Sequence, residues 1–222
     1  MNVVTFDLDD TLYSERDYVA SGLRAAGDEL DKRVGLQGSG EALWQAWCAT
    51  GGREVFQTLL ARVGLPDTQW LPLLQNVYRN HRPQLQLRPG VLDVISGLRK
   101  TGHLLALISD GSADAQRRKW QSLDIAKLFS AVLFTDDKGR EYWKPNSWAF
   151  EEIERILPRA NHYVYVADNI EKDFIAPNQL GWITVRLRHP DNVHRPPSAP
   201  SPLARPQHDL DGIDRLMSTL EW

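Results

Sequence analysis

Apolar residues recur along this chain in two rhythms. Val3 to Phe6 is a short run of β-branched and aromatic positions with no polar alternation. That pattern suits a strand buried on both faces of a parallel sheet. From Ser14 to Leu87 the period lengthens to that of helices. Val19, Leu23, Ala26 and Leu30 return at three- and four-residue steps until Gly35. Further helices are predicted around Leu43, Trp44 and Trp47, around Val55, Phe56, Leu59, Leu60 and Val63, and around Trp70, Leu71, Leu74, Val77 and Tyr78. Gly51-Gly52, Gly64 and Pro83 separate or end them, and Asp67 is the expected N-cap of the last.

Beyond Arg88-Pro89-Gly90 the rhythms alternate. Helices are predicted from Val91 to Leu98, Ala113 to Leu123, Ser147 to Leu157 and Asp173 to Leu180. Strands are predicted at Leu104 to Ile108, Ala131 to Phe134, Tyr163 to Ala167 and Trp182 to Leu187. Repeated strand–helix units imply an α/β fold, a Rossmann-like parallel sheet flanked by helices. The expected division is a core of residues 1–13 and 88–222 and an inserted helical bundle of residues 14–87. Tyr13 to Asp17 and Arg82 to Pro89 would be the linkers on which such a bundle can hinge. The proline-rich stretch from His189 to Pro206 reads as a loose connector. Ile213, Leu216, Met217 and Leu220 then read as a short closing helix.

Composition narrows the function classes. With 222 residues and a formal net charge of -3, the chain has no basic footprint for a nucleic-acid polymer or an anionic membrane surface. No apolar run approaches the roughly 20 residues that span a bilayer. The lone cysteine, Cys48, excludes an intrachain disulfide and fits a reducing compartment, so a cytoplasmic location is expected. The scattered histidines have no zinc-site spacing, and Gly35 to Gly40 has neither dinucleotide nor Walker spacing.

The candidate chemistry sits where apolar strands end. Asp7 and Asp9 follow the first strand and can lean the same way. Taken alone, they form either a solvated acidic turn, with Asp10 or Thr11 capping the next helix, or a site for a hard cation such as Mg²⁺. Ser109-Asp110-Gly111 ends the second strand, Lys144-Pro145 lies in a later loop, and Asp168 and Asp173 follow the fourth strand. Each has an ordinary structural reading as a turn, cap or solvated side chain. Together they form a kit of acids, a hydroxyl and an ammonium that suits metal-assisted phosphoryl transfer to a carboxylate.

These residues resemble the haloacid dehalogenase (HAD) superfamily over nearly the whole chain. Asp7-Leu8-Asp9-Asp10-Thr11-Leu12 matches the first motif, DxDx[TV]. Ser109 matches the second, Lys144-Pro145 the third, and Asp168 with Asp173 the fourth. The helical insertion resembles the cap of the subgroup with an early α-helical cap. Two departures are Ala167 in place of a glycine before the motif-four aspartate, and serine for threonine in motif two. The resemblance implies a phosphatase in which Asp7 is the nucleophile and Asp9 the general acid and base. Mg²⁺ would be held by Asp7, the backbone carbonyl of Asp9, and Asp168. Ser109 and Lys144 would bind the phosphoryl group, and Asp173 would orient Lys144 or a metal-bound water.

The second acid, Asp9, argues against the metal-free dehalogenases. The lone cap lysine, Lys32, argues against Schiff-base phosphonate hydrolysis. The expected substrate is a small phosphomonoester, a sugar phosphate or nucleotide, and the expected cap contacts are Arg53 and Trp47. Arg16, Arg24 and Trp44 are further candidates, although tryptophans in a small bundle more often pack its core. A sugar-phosphate mutase and a non-enzymatic, receiver-like phosphate-binding module remain the alternatives. The oligomeric state is not legible.

Overall fold

The computed structural model describes residues 1–196 and 198–220. The chain divides into two compact units, Met1–Arg16 with Leu85–Trp222, and Asp17–Gln84.

The first unit is built on six parallel strands: β1 (Val3–Phe6), β2 (Leu104–Ser109), β3 (Ala131–Phe134), β4 (Tyr163–Ala167), β5 (Ile183–Leu187) and β6 (His208–Leu210). Their order across the sheet is β3-β2-β1-β4-β5-β6, and every pairing is parallel. The apolar run that predicts β1 is explained by its place: all four of its residues are buried between β2 and β4. At roughly 1.5–3 kcal/mol for each buried valine or phenylalanine, such a strand needs no polar face. On one face of the sheet Val3, Ala106, Ile108, Tyr165 and Ala167 pack with Phe150, Phe174 and Trp182.

The unit's helices cover the sheet. They are α5 (Val91–Lys100), α6 (Ala113–Ser122), α7 (Trp148–Ile156) and α8 (Ile175–Gln179), and α9 (Leu216–Thr219) closes the unit. The expected closing helix is therefore a 3₁₀ turn at Ile213–Arg215 running into the short α9. One element goes beyond the expectations and one expectation needs correction. No element is predicted at 208–210, and the parallel pairing of β6 to β5 extends the sheet by one strand. The proline-rich stretch is not loose at residues 191–193, which are tied to the strand ends described below.

The second unit contains most of α1 (Glu15–Val34), with α2 (Ser39–Thr50), α3 (Val55–Val63) and α4 (Asp67–Asn80). Leu23, Leu30, Leu43, Leu60 and Leu74 form its core. α1 and α2 touch backbone to backbone: a Cβ on Gly27 would lie 2.1 Å from the Gly40 nitrogen. Only glycine permits that approach. Asp67 is not the N-cap but the first residue of α4, because Pro66 holds the extended conformation before it. Asp67 still favours the helix through the N-terminal dipole. Among the described residues no helix is long and apolar enough to cross a membrane.

Candidate active site

The strand order places the site. β1 lies between β2 and β4, where the chain's winding reverses, and in such sheets the crevice beyond the carboxyl ends of the strands binds ligands. Phe6 stands opposite both Leu107 and Val166, so the ends of β1, β2 and β4 lie within two residues of one another in register. Asp7 continues the ladder, its N–H donating to the Val166 carbonyl at 2.9 Å. Ser109 ends β2, and Asp168 follows β4.

Directly after Asp7 the chain turns on itself. Leu12 N–H donates to the Leu8 carbonyl at 3.0 Å, and Asp10 takes a left-handed φ of 53°. The Asp10 carboxylate holds this turn. It accepts from the N–H of Glu15 (2.8 Å) and of Val193 (2.5 Å) and pairs with Arg88 at 3.1 Å. Asp10 is therefore occupied as a structural anchor at the start of α1.

Lys144 is the centre of the site. Its ammonium lies 2.5 Å from Asp7 Oδ1, 2.8 Å from Asp173 Oδ1 and 2.9 Å from Tyr165 Oη. The Lys144 side chain is 1% exposed. Tyr165 is two residues from the end of β4 and level with Thr5, so it faces the same side as Asp7. Burial pushes the Asp7 carboxyl up to about 7, against the opposing pull of Lys144. Burial works against the charge on Lys144, yet Asp173 and Asp7 hold it well above the usual lysine range. Asp173 is steadied in turn by the Asn169 N–H at 2.9 Å.

Asp9 lies in a cradle of donors. Lys119 Nζ reaches its Oδ1 and Gln116 Nε2 its Oδ2, each at 2.8 Å, and Tyr13 Oη also donates to Oδ1. Burial raises its carboxyl, but Lys119 and these hydrogen bonds outweigh that and lower it. The Ser109 hydroxyl is buried with no hydrogen-bond partner, an orphan pointing to a ligand. Asp110 is clamped by Thr135 Oγ1 (2.8 Å) and Lys172 (2.9 Å).

Comparison with known proteins gives this geometry a family. The model of the haloacid dehalogenase-like hydrolases matches residues 1–181. The chain belongs to that family. It is 29% identical to a glyceraldehyde 3-phosphate phosphatase of Methanopyrus kandleri, across 85% of this chain and 84% of the relative. It is 26% identical to a phosphoglycolate phosphatase of Synechococcus elongatus, across 98% and 99%. In fold it is similar to the HAD-hydrolase YfnB from Bacillus subtilis bound to magnesium, with a TM-score of 0.71 at 21% identity over 100% and 99% of the two chains.

A metal site in this HAD-like hydrolase has to be judged from its donors. Among the described residues no three His, Cys, Asp or Glu side chains form a metal cluster by themselves. Mg²⁺ does not need three, since it is commonly held by one or two carboxylates with carbonyl and water oxygens. Asp7 and Asp168 are both buried, and burial raises Asp168 well above the carboxylate range, with Asp173, Asp7 and Asp10 adding to it. Two buried carboxylates whose charged forms burial disfavours fit a hard divalent cation. Asp7, Asp168 and the Asp9 carbonyl could hold it.

The fold thus gathers Asp7, Asp9, Ser109, Lys144, Asp168 and Asp173 at one edge of the sheet. Arg53 and Trp47 lie in the helical unit. Arg53 is exposed, its carbonyl accepting from Thr50 Oγ1, and Trp47 stacks on Trp44 at 5.2 Å. Both tryptophans pack against the bundle core, as the ordinary reading of them has it. Trp47 also lines a groove of about 360 Å³ with Leu23, Phe56, Gln75, Tyr78 and Arg79.

Several residues in the site were not anticipated: Tyr13, Gln116, Lys119, Tyr165, Lys172, and the Arg88–Asp191–Asn192 group. Arg88 pairs with Asp191 at 2.9 Å and donates to Asn192 Oδ1 at 3.0 Å, and Asn192 donates to Asp168 Oδ2 at 3.4 Å. Glu15 also belongs here, its carboxyl pushed up to about 8 by burial and by the negative charge of Asp9. For Gln116 and Lys119 a signal existed: they stand three apart, on one face of a predicted helix that follows a motif loop.

Proposed function

We propose that this chain is a Mg²⁺-dependent phosphatase that hydrolyses a small phosphomonoester through an aspartyl-phosphate on Asp7. The observation that carries this reading is the buried Asp7–Lys144–Asp173 constellation beside the unpartnered Ser109 hydroxyl. A nucleophilic carboxylate, an ammonium for an anionic substrate and a free hydroxyl donor meet at the crevice of the sheet.

Asp7 attacks phosphorus, and the bond to the leaving oxygen breaks as that oxygen takes a proton from the protonated form of Asp9, which Lys119 disfavours in the free protein. Water then attacks the aspartyl-phosphate, giving its proton back to Asp9, and phosphate leaves with Asp7 restored. Ser109 donates to a phosphoryl oxygen throughout. Lys144 holds Asp7 in place and offsets phosphoryl charge, while Asp173 fixes Lys144 from behind. Asp7, Asp168 and the Asp9 carbonyl would hold Mg²⁺, which would supply the positive charge that lets two anions meet. The helical unit is assigned the choice of leaving group, with Arg53 and Trp47 as its contacts.

The names of the relatives favour phosphorylated two- and three-carbon compounds, alongside the sugar phosphates and nucleotides expected from the sequence. The test is phosphate release from glyceraldehyde 3-phosphate, phosphoglycolate, hexose phosphates and nucleoside monophosphates, with Mg²⁺ and with chelator. The expected result is metal-dependent release that Asp7→Asn abolishes. Wild-type turnover by Asp7→Asn, or silence across the panel, contradicts the reading. Interconversion of sugar-phosphate isomers would replace it with a mutase.

A further inference from the structure

α6 carries an anomaly. Its buried residues are Gln116, Lys119 and Trp120, so a helix directly behind the site turns an ammonium inward. Lys119 is 5% exposed and Gln116 is 3% exposed. Burying a lysine is costly unless it is paired, and a buried pair is weak support for stability compared with an apolar substitute. The pairing therefore calls for a reason other than folding.

The geometry of the partner supplies one. A carboxylate offers about four acceptor positions. Lys119 and Tyr13 occupy Asp9 Oδ1, and Gln116 occupies one position on Oδ2. The acceptor position left over is on Oδ2. Gln116 and Lys119 both come from one rigid helix, three residues apart, while Tyr13 comes from the turn that carries Asp9 itself. The three donors fix the plane of the carboxyl group and leave one lone pair for chemistry.

We propose that Lys119, assisted by Gln116, is a positioning residue for Asp9, aiming Oδ2 at the leaving oxygen and balancing the charge Asp9 acquires as it gives up its proton. The inference rests on the reading of Asp9 as general acid and base. In the first step the Oδ2–H bond breaks, the proton goes to the leaving oxygen, and Asp9 becomes a carboxylate facing Lys119. Lys119 remains an ammonium throughout and transfers nothing. Its stabilisation is worth most where charge develops in the transition state.

This predicts a dependence on the leaving group. General acid catalysis contributes about 10²–10⁴-fold, and only where the leaving oxygen needs a proton. An alkyl phosphate such as phosphoglycolate needs one, whereas p-nitrophenyl phosphate expels a stable phenolate. Lys119→Met should lower kcat for the best alkyl ester of the panel on the order of 10-fold or more, a fraction of that contribution. On p-nitrophenyl phosphate the loss should be several times smaller, with KM little changed on either ester. In an Asp9→Asn background Lys119→Met should cost almost nothing more, because it acts through Asp9. Lys119→Arg, which keeps the charge, should recover part of the alkyl-ester rate and covers the case in which the methionine variant folds poorly.

Equal losses on both esters with an active wild type would overturn this inference alone, and so would additive losses in the Asp9→Asn background. A wild type that releases phosphate from neither ester would overturn the phosphatase reading and this inference with it.

Discussion

Replacing Lys144 by methionine removes the cation that pairs directly with both Asp7 and Asp173, and its effect on stability can be worked from the contacts. The ammonium sits 2.5 Å from one carboxylate and 2.8 Å from the other, with its side chain 1% exposed. At an effective dielectric near 20, each attraction is worth about 6 kcal/mol gross. The desolvation of three charges and the repulsion between the two acids cancel much of that. What the substitution leaves is two buried carboxylates without their direct ion-pair partner, a situation that costs about 3–5 kcal/mol. For a protein of this length that is a fall in Tm of about 6–20 °C.

The pH dependence gives a second handle. Burial already raises Asp7 to about 7, and loss of Lys144 raises it further. The folded variant then takes up a proton well above the pH at which the unfolded chain does. Its stability therefore recovers as pH falls from the raised folded value towards 3.8, the unfolded value. Urea unfolding in chelator at pH 7.5 and 5.5 should show the gap between wild type and Lys144→Met narrowing in acid. A variant within about 1 kcal/mol of wild type at pH 7.5, or a gap that widens in acid, would refute the reasoning.

Three further outcomes are expected. Mg²⁺ at a hundred times its dissociation constant should stabilise the protein by about 2.7 kcal/mol in thermal unfolding, and Asp168→Asn should remove that response; an equal response in the variant contradicts the site. Lys172 neutralises Asp110 at 2.9 Å, so Lys172→Ala should raise KM for an anionic ester and adding Asp110→Asn should restore it; a rise that persists in the double variant contradicts the pairing. Buried His103 accepts the Asn2 N–H at Nδ1 (3.2 Å), and burial holds its pKa below 6.5. Its contribution is thus intact above pH 6.5 and is lost as pH falls towards the folded value. His103→Gln should therefore lose less Tm than wild type between pH 7.5 and 5.5, and an equal loss rules this out.

Legibility followed burial. β1 and β4 stand where the apolar runs predict them, because a strand covered on both faces must be apolar throughout, and β3, half-buried at the sheet's edge, is still marked by its apolar Ala131 to Phe134 run. β6 was hidden because His208-Asp209-Leu210 is short and largely polar, with no apolar run to mark it. The parallel order also put Asp7, Ser109 and Asp168 at neighbouring strand ends, a placement that motif spacing expresses directly. The cradle of Asp9 was harder to see. Lys119 and Gln116 look like the solvated face of a polar helix, and only the fold shows that this face is buried. Asp191 and Asn192 lie in a proline-rich stretch with no periodicity, and their link to Arg88 spans about half the chain in sequence. No local pattern encodes such a contact.

The central claim is that Asp7 carries the phosphoryl group. The most direct measurement is to quench turnover of the best ester in acid, reduce the protein with borohydride, and map the product by peptide mass spectrometry. An acyl phosphate on Asp7 would be converted to homoserine at position 7, in an amount that vanishes in Asp7→Asn. Phosphate release at full rate with residue 7 unmodified, or homoserine at another aspartate, would contradict the account.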